Sequence, residues 1–413
     1  MSQEISIHHS KPISGSLDFN RHHSIPHLYY LPTLLTYIYR QWYDVSIERL
    51  YQSPYLYGSS YVPFIRTVCP SILAHIKKSE LAGLVKVLNL SHIVHQGNKS
   101  TTARLLGRTK ASLEVFIAPQ ASFAINCWAS LSKCTKLKVL DLSLVSECIS
   151  YQSLNQTVRK LPELERLYLP RCSSTYENDM ALSMNVRWPP HLIHLQLSGS
   201  VKGKFLVDIL NQPENFPPSM TSMNISHCPG LASSGIRPLL RNLAGNLTTV
   251  ELHNLPAVQQ GKFNGILDWL PKLRNLVMSI EYISTEFGPA NPTDGYAPLP
   301  LESLTLVTSG MQGIDPGDSF TAVDLFTLVD ERILGRIRTI KVAMSTGWKK
   351  SESAELDAIE MILLGEVDKE NWEQRRWHYE GLKGVPSNMT YKQWLRTERG
   401  REMRARVRVL EDQ

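Results

Sequence analysis

The chain has 413 residues, of which 42% are hydrophobic and 20% charged, with a net charge of +6. This composition suits a globular protein with an ample core and excludes a disordered or fibrous chain. So slight a charge, spread over this length, does not point to nucleic acid as a partner.

The six cysteines, Cys69, Cys127, Cys134, Cys148, Cys172 and Cys228, form no C-x-x-C pair. That spread predicts reduced thiols in the cytoplasm or nucleus. The start, M-S-Q-E-I-S-I-H-H-S-K, has no apolar signal core, and no run of about 18 apolar residues exists to span a membrane.

Four regions follow in chain order. Residues 1–28 are polar and rich in His and Ser, including His8, His9, His22, His23 and His27. Their composition predicts a disordered tail rather than a metal site. Residues 29–80 are aromatic and apolar, and their spacing predicts helices. Residues 81–345 carry a repeat. Residues 346–413 are charged and predicted helical. There, Ser353–Leu364 forms an amphipathic helix that caps the last repeat, and a basic run from Lys392 to Arg408 follows.

The repeat is the pattern L-x-x-L-x-L, with its first position at Val85, Leu113, Leu137, Leu164, Leu192, Met220, Leu247, Leu273, Leu301 and Ile337. Subtracting successive first positions gives 28, 24, 27, 28, 28, 27, 26, 28 and 36. L-x-x-L-x-L is the strand half of a leucine-rich repeat. The expected fold is therefore α/β, a solenoid or horseshoe with parallel strands on the concave side and helices on the convex side. Helices are predicted at Tyr151–Leu161, Lys204–Asn211, Ser234–Ala244, Gly265–Leu270 and Thr321–Leu334, with loops at Gly288–Pro300 and Gly310–Ser319. Side chains alternate in a strand, so the fourth and sixth positions point inward and the third, fifth and seventh face solvent. The fifth positions run Asn89, Ile117, Asp141, Tyr168, Gln196, Asn224, Glu251, Val277, Thr305 and Lys341. From this mixed column, Asp141, Tyr168, Gln196, Asn224, Glu251 and Thr305 are the expected partner-binding residues. In the clearest unit, Met220–Leu243, Cys228 is expected to be buried and to bond the turning backbone, and Ser234 to cap the helix. Cys172 stands at the same position of its own unit, and the unit type resembles the cysteine-containing class of leucine-rich repeats.

Ahead of the repeats, Arg40-Gln41-Trp42-Tyr43 through Leu50-Tyr51 is similar to the closing helix of an F-box. The run Y-V-P-F-I-R-T-V-C-P-S-I at Tyr61–Ile72 looks like the link found in fungal F-box/leucine-rich-repeat proteins. The resemblance spans most of the chain from about residue 40. It departs from the family at the start: Leu31-Pro32 lies only ten residues before Trp42 (42 − 32), and no acidic residue follows it. The F-box is thus truncated or degenerate, a helical cap on the repeats. The resemblance implies the substrate receptor of an SCF-type E3 ubiquitin ligase. A Skp-type adaptor and its cullin ligase would be partners, with Leu31, Pro32, Leu35, Trp42 and Tyr43 as adaptor-binding positions, and a protein substrate would be held by the repeats. The alternative is a leucine-rich-repeat interaction scaffold that binds no adaptor, with Trp42 covering the open end of the repeat core.

Neither H-E-x-x-H, G-x-x-x-x-G-K-[ST] nor G-x-S-x-G occurs, so no enzyme activity and no cofactor is expected. His194, His227 and His253 fall near one edge of three successive strands, but offset along them, which argues against a shared metal ion.

Overall fold

Alternation within each L-x-x-L-x-L unit makes it a strand, because an extended chain sends successive side chains to opposite faces. The computed structural model describes residues 40–70, 79–93, 98–147, 151–170, 188–199, 216–290, 299–310, 315–372 and 389–411. Each repeat unit forms one strand. They are β1 (Val87–Asn89), β2 (Val115–Ile117), β3 (Val139–Asp141), β4 (Arg166–Tyr168), β5 (His194–Leu197), β6 (Ser222–Ser226), β7 (Thr249–His253), β8 (Asn275–Ser279), β9 (Ser303–Val307) and β10 (Thr339–Ala343). An eleventh, β11 (Arg406–Leu410), corrects the expectation of an all-helical region 346–413: its basic run is helical at Tyr391–Trp394 and Glu398–Glu402 and ends in a strand. The strands form one sheet in chain order, β1 to β11, each parallel to its predecessor. A sheet that grows by one strand per repeat is compatible with a solenoid.

The period sets the register. Leu140 lies beside Leu167, Leu167 beside Leu195 and Leu195 beside Met223. The first, fourth and sixth positions of all the units from Val85 to Val342 are at most 4% exposed. At about 25 cal/mol per Å² of apolar surface removed from water, this ladder is the main source of stability.

The helices pack on the ladder side, and their apolar residues, such as Leu105, Leu131, Leu154, Ile236 and Leu325, belong to the same core cluster. They are α1 (Arg40–Gln52), α2 (Tyr61–Val68), α3 (Lys99–Thr109), α4 (Ile125–Leu131), α5 (Tyr151–Val158), α6 (Ser233–Asn242), α7 (Ile266–Trp269) and α8 (Ala322–Asp330). After β10 come α9 (Trp348–Ser351), α10 (Ser353–Ile362), α11 (Tyr391–Trp394) and α12 (Glu398–Glu402). Asn98 starts α3 by accepting a hydrogen bond from the Ser100 N–H at 3.0 Å. Thr321 and Asp324 form a capping box at α8. That helix ends at Asp330 rather than at Leu334, because Arg332 turns left-handed at φ 62°. The cap of α6 also differs from expectation. The helix begins at Ser233 behind Ala232, so Ser234 lies inside its first turn and caps nothing. The predicted helix at Lys204–Asn211 falls outside the described residues.

The sheet is capped at its start and its last connection is tied down. At the start, the Gln52 carbonyl at the end of α1 accepts the Lys86 N–H at 2.9 Å. Glu114 N donates in turn to Lys86 O, Lys138 N to Glu114 O, and so on to Arg406 N and Arg338 O. The last carbonyl of α1 therefore occupies the place that a preceding strand would fill. At the other end, the segment between β10 and β11 is fastened to the α8–β10 turn. Arg332 pairs there with Glu366 and with Glu370, and Asn371 Nδ2 donates to Gly335 O at 2.5 Å. Gly400 allows the return into β11, since a Cβ there would run into the Trp394 carbonyl oxygen.

Candidate binding face of the sheet

The third, fifth and seventh positions form the polar face. Asp141, Tyr168, Gln196, Asn224 and Glu251 sit side by side on β3 to β7, and Thr305 follows on β9 after Val277. β11 adds Arg408 beside Lys341. The expected solvent exposure does not hold through the middle: Asp141 is 6% exposed, Asn224 8% and Thr305 2%, while Tyr168, Gln196 and Glu251 are half-buried. Strands in register bring equivalent side chains about 4.8 Å apart, close enough to satisfy one another. Asp141 Oδ1 accepts from Ser143 N at 2.9 Å and from its hydroxyl at 2.6 Å. Asn224 Nδ2 donates to Glu251 Oε2 at 2.6 Å. The Tyr168 ring lies 4.8 Å from that of His194, whose Nδ1 is 2.8 Å from Ser222 Oγ.

This crowding alters acidity. Burial pushes the Glu251 carboxyl up to about 7, against the opposing effect of the Asn224 hydrogen bond. Burial, helped by the nearby Arg166 charge, pulls His194 down to about 4. Both groups are held towards their neutral forms, one as an acid and one as a base.

Beyond Glu251 the face opens. Val277 and Thr305 form the floor of a cleft of about 220 Å³, with Glu251 on one side and Lys341, Arg406 and Arg408 on the other. Arg338 and the hydroxyls of Ser303 and Thr339 complete its basic side. This cluster was missed as a unit, because its members come from two distant stretches of sequence that only the β10–β11 pairing unites. The alternation R-V-R-V-L at Arg406–Leu410 was the available signal.

The three histidines do not converge. His227 and His253 meet edge to face at 5.6 Å, with Asn254 Nδ2 bridging them at 3.4 and 3.1 Å, while His194 packs with Tyr168. Among the described residues, no group of three His, Cys, Asp or Glu side chains could hold a metal. His227 and Asn254 share a left-handed backbone with Gly199, all at the eighth position of their units, where the chain leaves its strand. One residue further, Cys228 is fully buried, and its Sγ contacts Ser226 O at 3.4 Å. Burial pushes its thiol up to about 12, so its role is structural. Cys172 lies outside the described residues. In the next-but-one unit the position of Cys228 is taken by Glu281, which sequence reading passed over. Its carboxylate accepts the Ser309 and Gly310 N–H groups at 2.8 and 3.0 Å and pins the loop after β9.

Of the positions expected to meet an adaptor, Leu31, Pro32 and Leu35 lie outside the described residues. Trp42 and Tyr43 are in α1, and Tyr43 is 42% exposed. On the same helix Ser46 is buried and Tyr51 stacks on Phe64 of α2 at 6.2 Å, so α1 has a packed face and an open one. Among the described residues, no helix is long and apolar enough to cross a membrane.

Comparison with known proteins follows the same lines. The chain is 30% identical to the F-box protein YDR306C of Saccharomyces cerevisiae over 324 residues, which cover 77% of this chain and 64% of that protein. The match thus spans less than two thirds of that relative's length. It is 27% identical to Protein pof5 of Schizosaccharomyces pombe over 326 residues, 79% of this chain and 87% of that one. Both relatives are fungal and the first is named an F-box protein, which supports kinship with a fungal family of F-box proteins. No protein-family model matches the chain.

Proposed function

We propose that this chain is the substrate-recognition subunit of an SCF-type E3 ubiquitin ligase. In this reading its leucine-rich repeats hold a protein substrate and its N-terminal helices hold a Skp-type adaptor. The observation that carries it is the 324-residue likeness to a protein named for its F-box. The open face of α1, with Tyr43 exposed just ahead of the sheet, agrees with it. The chain performs no catalysis in this reading. It raises the local concentration of substrate lysines near a conjugating enzyme carried by the cullin, so the gain is one of proximity.

A second reading rests on one specific contact. The Gln52–Lys86 hydrogen bond gives α1 a complete job as the cap of the sheet. The chain would then be a repeat scaffold that binds no adaptor. Co-expression with the Skp-type adaptor of the same organism separates the two. The ligase reading expects a complex that survives purification and is lost in Trp42→Ala. A folded chain that leaves the adaptor behind sinks that reading and supports the scaffold.

A further inference from the structure

We propose that the cleft over β9, β10 and β11 is a binding site for a phosphate monoester, gripped by Arg338, Lys341, Arg406 and Arg408. The pairing of β10 with β11 forces these groups together, because Lys341 is in register with Arg408 and Thr339 with Arg406. None of the four makes an ion pair among the described residues. Among the described residues Arg406 is tethered by its Nη2 alone, which donates to the Glu402 carbonyl at 2.6 Å, and the Glu402 carboxylate partly offsets its charge. Burial and the adjoining Arg408 and Arg406 charges hold Lys341 below the usual lysine range. Like charges gathered at a half-buried site repel one another, and an anion between them turns that repulsion into attraction.

The geometry also selects the class of anion. A carboxylate brings one charge and two oxygens. A phosphate monoester brings close to two charges and three terminal oxygens, which suits several cationic donors converging from two strands. Thr305 and Thr339 place hydroxyls along the same wall for the remaining oxygens. A nucleic-acid strand fits poorly, since no aromatic side chain lines the cleft to stack a base. Glu251 lines the opposite side of the cleft, away from the basic groups of β10 and β11. The site depends on the sheet alone and stands whether or not α1 binds an adaptor.

Isothermal titration of the full chain tests it with three probes. These are inorganic phosphate, an end-blocked glycine pentapeptide with one central phosphoserine, and the same peptide with serine. The phosphorylated peptide or inorganic phosphate should bind, and the serine peptide should not. Lys341→Gln with Arg408→Gln should weaken binding at least about tenfold, as expected for losing two charge-assisted contacts. Arg408→Gln alone changes an exposed side chain on the last strand and keeps the test valid if the double variant fails to melt normally. Arg159→Gln with Lys160→Gln, exposed and just beyond α5, removes the same charge elsewhere and should leave binding intact. Equal affinity for phosphate and phosphopeptide supports a small phosphate ester as ligand. Tighter binding of the peptide supports a phosphorylated protein segment. Absence of binding to both, binding that ignores the phosphate, or an equal loss in the control variant overturns the proposal.

Discussion

The middle of the polar face and its last strands use the same backbone and the same register, yet they differ in what their side chains do. From β3 to β7 the side chains are turned on one another: Asp141 on Ser143, Tyr168 on His194, Asn224 on Glu251. From β9 to β11, Lys341 and Arg408 stand together, and among the described residues neither pairs with an acid. The repeat decides where a side chain is placed. Its chemical neighbours, in its own unit or in the units on either side, decide whether it is available to another molecule.

The largest test of this contrast lies in the ladder beneath it. Leu167→Asp puts a carboxylate among fully buried apolar groups and should destabilise by about 4 kcal/mol or more, whereas Val409→Asp on the half-buried last strand should cost clearly less. Thermal melting reads both. Normal melting of Leu167→Asp would show that the repeat frame is wrong.

A smaller effect separates the two regions by pH. Glu251 has a folded pKa of about 7, above its ordinary 4.5. Folding favours its protonated form, so its penalty is absent below about 4.5, grows as pH rises towards 7 and is complete above that. His194 is lowered from 6.5 to about 4, and its contribution runs the other way, with stability lost as pH falls from 6.5 towards 4. Glu251→Gln should raise the urea midpoint at pH 8 by the equivalent of roughly 1–3 kcal/mol and leave it nearly unchanged at pH 4.5. The variant should then show the His194 slope alone below pH 6.5. An unchanged midpoint at pH 8 would mean that Glu251 is well solvated and the middle of the face no tighter than its end.

The smallest effect concerns capture. Tyr168→Ala with Gln196→Ala removes two half-buried side chains from the middle of the face. It should weaken pull-down of a substrate several-fold while leaving the melting temperature within a few degrees. Unchanged capture would move the recognition surface away from the middle, towards the basic cleft.

The apolar ladder was legible in sequence because each strand buries a fixed subset of positions, and that subset recurs with the period. Leu140, Leu167 and Leu195 needed no information from elsewhere in the chain. The burial of Asp141 and Asn224 was not legible in the same way. Asn224 depends on Glu251, which only the register brings beside it, while Asp141 is satisfied by Ser143, two residues on in its own unit, a local contact that alternation alone does not announce. β11 was missed for a different reason. Its arginines drew attention as charge, while the alternation of Arg406, Val407, Arg408 and Val409, which is what makes a strand, was overlooked. The cap of α6 was misplaced because Ala232 has no side chain that could announce it. At the N-terminal end, only Trp42 and Tyr43 of the five positions expected to meet an adaptor fall within described structure, and the helix that carries them was anticipated.

The bond from Lys86 to the Gln52 carbonyl has a mechanical meaning. A helix whose last carbonyl belongs to the sheet's own hydrogen-bond series has no free joint at that point. Pulling α1 aside loads backbone bonds in shear instead of swinging a lever. Whatever grips α1 is therefore held at a distance from the basic cleft that is counted out in strands, each adding about 4.8 Å. Gaining or losing one repeat would lengthen or shorten that ruler by a single step, with both of its ends left intact.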